Sequence, residues 1–156
     1  MNIYLVRHGE TEQNKRKKFY GKLDVGLNEK GEKQSYKVGE LLKDVEFNKI
    51  YISDRKRTRE TAEIILERNK LYKKEKNIIY KDERINEIDF GLFEGKSYKE
   101  IGSLYPKEQE RWERDWKNFA PPNGESAVEF YNRVENFMKH IQKEEDGDYL
   151  IVTHGG

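Results

Sequence analysis

The chain has 156 residues and a mass of 18.7 kDa, enough for one domain with a buried core. Charged residues make up 39% of it, but 31 Lys and Arg are offset by 30 Asp and Glu. The resulting net charge of +1 removes any electrostatic case for nucleic acid or an anionic membrane as partner, and cancelling charge with 12% aromatics is not the composition of a disordered chain. The absence of cysteine excludes disulfides and thiolate chemistry. No apolar run reaches the length of a secretory signal or a membrane span, so a soluble, cytoplasmic protein is expected.

Asn2 to Val6 is rich in strand formers and ends in charge and glycine at Arg7-His8-Gly9, the pattern of a buried first strand. Asn28 offers an N-cap. Gln34, Ser35, Val38, Leu41, Leu42 and Val45 follow it at helical spacing. Lys49 to Ile52 is predicted as a second strand, with Ser53 or Asp54 capping a helix whose inward stripe is Thr58, Thr61, Ala62, Ile65 and Leu66. Asn77 to Tyr80 is predicted as a third strand. Ser97-Tyr98-Lys99-Glu100 and Ser126-Ala127-Val128-Glu129 are capping boxes. The first opens a short helix halted near Pro106, with a further helix over Lys107 to Trp116. The second opens a long amphipathic helix carrying Ala127, Phe130, Tyr131, Val134, Phe137, Met138 and Ile141. Tyr149 to Val152 is the last predicted strand, ending in Thr153-His154-Gly155-Gly156.

Strands alternating with helices specify an α/β fold, a three-layer sandwich with a mainly parallel sheet and helices on both faces, in one domain over residues 1–156. In such sheets ligands bind beyond the carboxyl ends of the strands. Three predicted strands end there in reactive residues: Arg7-His8-Gly9, Ser53-Asp54 leading to Arg57, and Thr153-His154-Gly155. Parallel strands bring two histidines and two arginines to one edge, a set suited to a phosphate dianion. Metal binding is the rival use of histidine, but only three histidines are present, without Cys or close His-x-His spacing, and the arginines would repel a cation. His140 falls on the exposed end of the last helix. Lys15-Arg16-Lys17-Lys18 is taken as a solvated loop in preference to an anion site. Neither G-x-x-x-x-G-K-[ST] nor G-x-G-x-x-G follows a strand, which argues against nucleotide-driven chemistry of those classes.

Leu5-Val6-Arg7-His8-Gly9-Glu10-Thr11 with Asn14 resembles the opening signature of the histidine phosphatase superfamily, the phosphoglycerate mutase-like family. Ser53 to Ala62, Asn86 to Gly95, Gly124-Glu125-Ser126 and Val152 to Gly156 resemble its later blocks in order, so the resemblance spans nearly the whole chain. It implies a phosphohistidine nucleophile at His8. Arg7, Arg57 and His154 hold the phosphoryl oxygens, with Asn14, Gly21 and Gly155 completing the phosphate site. Glu87 is the proton donor, and Glu10, close to His8 in sequence, is the competing candidate. No metal or cofactor is implied. The substrate is a small phosphorylated metabolite, and self-association as a homodimer stays open.

The interval from Glu87 to His154 is 67 residues (154 − 87), which resembles the shorter phosphatase branch, including alpha-ribazole and broad-specificity phosphatases, more than the mutases with their long insertion. Hydrolysis of a phosphomonoester is therefore expected, with mutase-type transfer or a non-catalytic phospholigand-binding relative as alternatives. Gly95 to Pro122 is expected to form a lid, where Tyr98, Tyr105, Trp112, Trp116 and Phe119 either line an entrance or pack as core. The sequence ends directly after the second histidine motif, without the C-terminal helix and strand of the family pattern, which is expected to leave one sheet face exposed.

Overall fold

The structure, a computed structural model, describes residues 1–155. Along the chain it forms β1 (Asn2–Arg7), the single-turn α1 (Glu12–Lys15), β2 (Lys18–Phe19), α2 (Glu29–Leu41), β3 (Lys49–Ile52) and α3 (Lys56–Arg68). Then come β4 (Ile79–Lys81), β5 (Lys96–Ser97), α4 (Tyr98–Leu104), α5 (Pro106–Arg114), α6 (Ala127–Ile141) and β6 (Asp148–Thr153). Four strands pair in parallel in the order β1-β6-β3-β4, so the last strand is inserted between the first and the third. β2 and β5 form a separate antiparallel pair.

Alternation along the parallel strands sends side chains to two cores. Ile50, Ile52, Leu150 and Val152 pack with Ala62, Ile65 and Leu66 of α3 on one face. Tyr51, Tyr149 and Ile151 pack with Phe137 and Ile141 of α6 on the other. Helices thus cover both faces, as expected. The α3 stripe is as predicted, with Arg57 added to its buried set. Both predicted capping boxes form, Ser97 with Glu100 and Ser126 with Glu129, and Asn28 caps α2 through Gly31 N–H. A third box, Thr11 with Asn14, opens α1.

Some local expectations are corrected. The buried face of α2 is Gly31, Ser35 and Gly39, while Leu41 is 82% exposed. Small residues let α2 approach α3 closely; of the predicted stripe, Ser35, Val38, Leu42 and Val45 do face the core, while Gln34 and Leu41 point outward. Neither Ser53 nor Asp54 caps α3. Arg55 occupies that position, and Asp24 Oδ1 accepts the Lys56 N–H at 2.7 Å instead. α5 begins on Pro106 and stops at Arg114, which leaves Trp116 outside it. β1 is an edge strand whose Ile3 and Leu5 are exposed, beside an equally exposed Tyr131 on α6. Among the described residues, no helix is long and apolar enough to cross a membrane.

Candidate active site

The strand register builds the site. Arg7 lies level with Thr153, and Val152 with Ile52, so His8, His154 and Ser53 leave the sheet side by side at its carboxyl edge. The His8 N–H continues the ladder onto Thr153 O at 2.9 Å. The two imidazoles stand edge to face with ring centroids 5.1 Å apart.

His8 is 7% exposed, and its Nδ1 lies 2.7 Å from its neighbour's carbonyl, Gly9 O. A carbonyl can only accept, so Nδ1 carries the proton and Nε2 keeps its lone pair. Burial, together with Arg57 and Arg7 and against the Gly9 bond, lowers its pKa to about 4, so the ring is neutral at physiological pH. His154 is lowered further, to about 2, by burial and then by Arg57, His8 and Arg55. Both rings are therefore uncharged, one of them with a defined nucleophilic nitrogen.

Arg57 is fully buried at the first turn of α3. Its Nη2 donates to Gly21 O at 3.0 Å and its Nη1 to Leu23 O at 3.1 Å, and the guanidinium carbon sits 4.6 Å from the Tyr20 ring centroid. Its Nε is buried without a hydrogen-bond partner, as is Nδ1 of His154. Burial pushes the Arg57 pKa down, but a guanidinium remains charged at any ordinary pH. A fixed cation with unused donors beside two neutral histidines is an anion-binding arrangement.

Arg7 packs its guanidinium under Gly155, where an added Cβ would lie 2.9 Å from Cζ. Gly156 lies outside the described residues. Asn14 Oδ1 accepts from Thr11 N–H at 3.0 Å, Thr11 Oγ1 at 3.0 Å and Tyr20 OH at 2.8 Å, which fixes the amide and leaves Nδ2 as a donor. Gly21 stands one layer back. Its carbonyl is on Arg57 and its N–H on Glu94, so it supports the Arg57 guanidinium from behind.

Glu87 is half-buried, and its charge acts on Arg57. Its Oε1 accepts from Ile88 N–H at 3.0 Å. Glu10 is engaged elsewhere: Lys30 Nζ and Asn28 Nδ2 donate to it at 2.9 and 3.0 Å and hold it below the usual carboxylate range. His140 is exposed, 3.4 Å from Glu144. Of the lid aromatics, Tyr105, Trp112 and Phe119 pack around the fully buried Phe93, while Tyr98 and Trp116 face solvent. Among the described residues, no cluster of three or more His, Asp or Glu side chains gathers as a metal site.

Sequence reasoning missed three supporting residues. Tyr20 underlies Arg57, and Glu94 collects the amides of Gly21, Lys22 and Leu23. Arg133 donates to Glu125 and to the carbonyls of Arg84, Asn86 and Glu87. Each acts across a long sequence separation that no local pattern marks.

Known proteins resemble the chain in sequence and in fold. The profile of the Histidine phosphatase superfamily (branch 1) matches residues 3–156. Phosphoserine phosphatase 1 of Hydrogenobacter thermophilus is 33% identical over 98% of this chain and 70% of its own length. A relative from Erwinia tasmaniensis named as a probable phosphoglycerate mutase is 32% identical over 99% of this chain and 70% of its own. The crystal structure of alpha-ribazole phosphatase from Shigella flexneri superposes with a TM-score of 0.87 at 28% identity, covering 99% of this chain and 74% of that one. The site and these relationships together show that the chain belongs to the histidine phosphatase superfamily and is an enzyme of phosphatase or mutase type.

Proposed function

We propose that the protein hydrolyses a small phosphomonoester through a phosphohistidine on His8, without a metal. The observation that carries this reading is the His8 ring itself: buried, neutral, with Nδ1–H tied to Gly9 O and Nε2 therefore a free base. In the first step Nε2 bonds to phosphorus as the ester P–O bond breaks, and Glu87 gives its proton to the leaving oxygen. In the second, water attacks phosphorus, its proton passes to the Glu87 carboxylate, and the P–N bond breaks to release phosphate. Arg7, Arg57, His154 and Asn14 compensate the charge on the equatorial oxygens, where preorganised donors supply most of the rate. Splitting one displacement into two also removes the need to bring water and ester together in a single step.

Hydrolysis is favoured over mutase chemistry by the 67-residue interval between Glu87 and His154 (154 − 87), too short for a long insertion that would seal the site from water. The relatives named as phosphoserine and alpha-ribazole phosphatases support the same choice. The test is rapid mixing with p-nitrophenyl phosphate, phosphoserine and alpha-ribazole phosphate, followed by acid or base quench. Acid-labile, base-stable label on the wild type and none on His8→Ala is expected. Full turnover by His8→Ala overturns the nucleophile, and transfer between phosphoglycerates without phosphomonoester hydrolysis overturns the reaction class.

A further inference from the structure

Ser53 leaves β3 beside the end of β6, and its hydroxyl joins two buried partners. Ser53 Oγ lies 2.8 Å from His154 Nε2 and 2.9 Å from Thr58 Oγ1. Thr58 Oγ1 is in turn 2.8 Å from Arg55 O and 3.2 Å from Ser53 O. Both hydroxyls are fully buried, so water does not complete the chain and each has one proton to place.

Carbonyls accept only, and the shortest contact of Thr58 Oγ1 is to Arg55 O, so its proton goes there. Thr58 Oγ1 then accepts from Ser53. Ser53 Oγ, its own proton spent, accepts from His154 Nε2–H. The opposite order would make Ser53 donate to Nε2 and put the ring proton on Nδ1. That atom is buried and has no hydrogen-bond partner, and a buried N–H without an acceptor is the costlier arrangement. Two independent observations, the hydroxyl chain and the unpartnered Nδ1, place the proton on Nε2.

We propose that Ser53 and Thr58 are positioning residues that hold neutral His154 as its Nε2–H tautomer, so that this ring meets the phosphoryl group as an uncharged hydrogen-bond donor. In the free site Ser53 Oγ takes the bond. A phosphoryl oxygen delivered to the neighbouring His8 is an anionic and stronger acceptor, and draws the same N–H to itself. The two histidines are then held in opposite tautomers. His8 carries its proton on Nδ1 and attacks with Nε2, and His154 carries its proton on Nε2 and donates it. Their roles are divided by tautomer and not by charge. An imidazolium at position 154 would lie among Arg57, Arg55 and Arg133, which the neutral donor avoids.

The use made of the donor rests on the phosphoryl-transfer reading above, but the tautomer does not. The test is a long-range 1H–15N correlation spectrum of uniformly labelled protein at pH 7, with His154 assigned by its loss in His154→Gln. An Nε2–H pattern is expected for the wild type and for Ser53→Thr. In Ser53→Ala the preference is lost, and kcat/KM for p-nitrophenyl phosphate falls about tenfold, with Ser53→Thr restoring most of it. Thr58→Val, which frees the Ser53 proton to turn toward Nε2, is expected to raise the Nδ1–H fraction. An Nδ1–H or doubly protonated ring in the wild type overturns the proposal, as does a Ser53→Ala spectrum identical to wild type. Should Ser53→Ala fail to fold, the wild-type spectrum decides alone. An Nε2–H ring in a protein that never labels on His8 would count against the phosphohistidine and leave the tautomer standing.

Discussion

One peptide unit stands between Glu94 and Arg57. The carbonyl of Gly21 accepts from Arg57 Nη2 at 3.0 Å, and the N–H of Lys22, at the other end of the same plane, donates to Glu94 Oε1 at 2.9 Å. The carboxylate also takes the N–H groups of Gly21, Leu23 and Phe90. Successive amides pointed at one anion leave their carbonyls turned outward, and those of Gly21 and Leu23 hold the guanidinium. Glu94 therefore aims Arg57 without touching it.

Glu94→Gln keeps the shape but sets an NH2 group against backbone N–H donors. Charge-assisted bonds of this kind contribute roughly 1.5–3 kcal/mol each. The inhibition constant of inorganic phosphate is expected to rise by about tenfold or more for the loss of one such bond, with a lowered Tm. Calorimetric titration with phosphate checks it, and unchanged affinity in Glu94→Gln would separate the loop from the arginine.

Two glycines give contrasting outcomes. A Cβ on Gly21 would lie 1.8 Å from Ile88 O, a backbone atom that cannot move without the loop, so Gly21→Ala is expected to cost stability and activity together. At Gly155 the added Cβ meets Arg7 Cζ and Nε at 2.9 Å, the far end of a flexible side chain. Gly155→Ala should melt near the wild type while losing kcat/KM, because only the arginine is displaced. Equal losses of Tm in the two variants would contradict this.

The buried histidines set the pH response. His8 is lowered from 6.5 to about 4 in the fold but titrates ordinarily once unfolded. Between those values the unfolded chain binds the proton that the native state refuses, so stability falls as pH drops from about 6.5 toward 4. His154 adds in the same direction over a wider range. Urea unfolding at pH 7 and pH 4.5 should show a smaller pH-dependent loss for His8→Gln than for the wild type. A loss of equal size in both proteins removes His8 as a cause.

The sheet edge was legible because each strand ended abruptly in polar residues, and a parallel register aligns such ends automatically. Arg57 stood out for the same reason, at a fixed offset from Ser53. What stayed hidden was the layer behind. The β2–β5 pair is two residues long on each strand, below any periodicity, and it joins Lys18 to Ser97 across the chain. Glu94 and Arg133 look like ordinary surface charges in a sequence where charges of both signs are everywhere. Glu94 takes backbone N–H groups and Arg133, besides Glu125, donates to backbone carbonyls, and backbone atoms have no identity in a sequence. The aromatic stretch over residues 98–119 supported either an entrance or a core. The buried Phe93, whose place depends on the fold of the preceding loop, draws Tyr105, Trp112 and Phe119 inward.

Arg133 bears on Glu87 through the backbone around it. Its Nε and Nη2 clamp Glu125 at 2.6 and 2.9 Å, while Nη1 and Nη2 reach Arg84 O, Asn86 O and Glu87 O at 2.9, 2.7 and 3.0 Å. One planar fork thus holds three carbonyls of the segment that carries Glu87, a geometry lysine cannot reproduce. If Glu87 protonates the leaving oxygen, loosening this segment matters most where that oxygen is strongly basic. Arg133→Lys is expected to lower kcat for an alkyl phosphate such as phosphoserine by roughly 10- to 100-fold, less than the roughly 100- to 10,000-fold of a lost general acid because the carboxyl is loosened and not removed. The loss for p-nitrophenyl phosphate, whose leaving group departs without a proton, should be several-fold smaller. Glu87→Gln should reproduce the same selectivity. Equal losses on both substrates in both variants would mean that the segment serves substrate binding and that the proton comes from elsewhere.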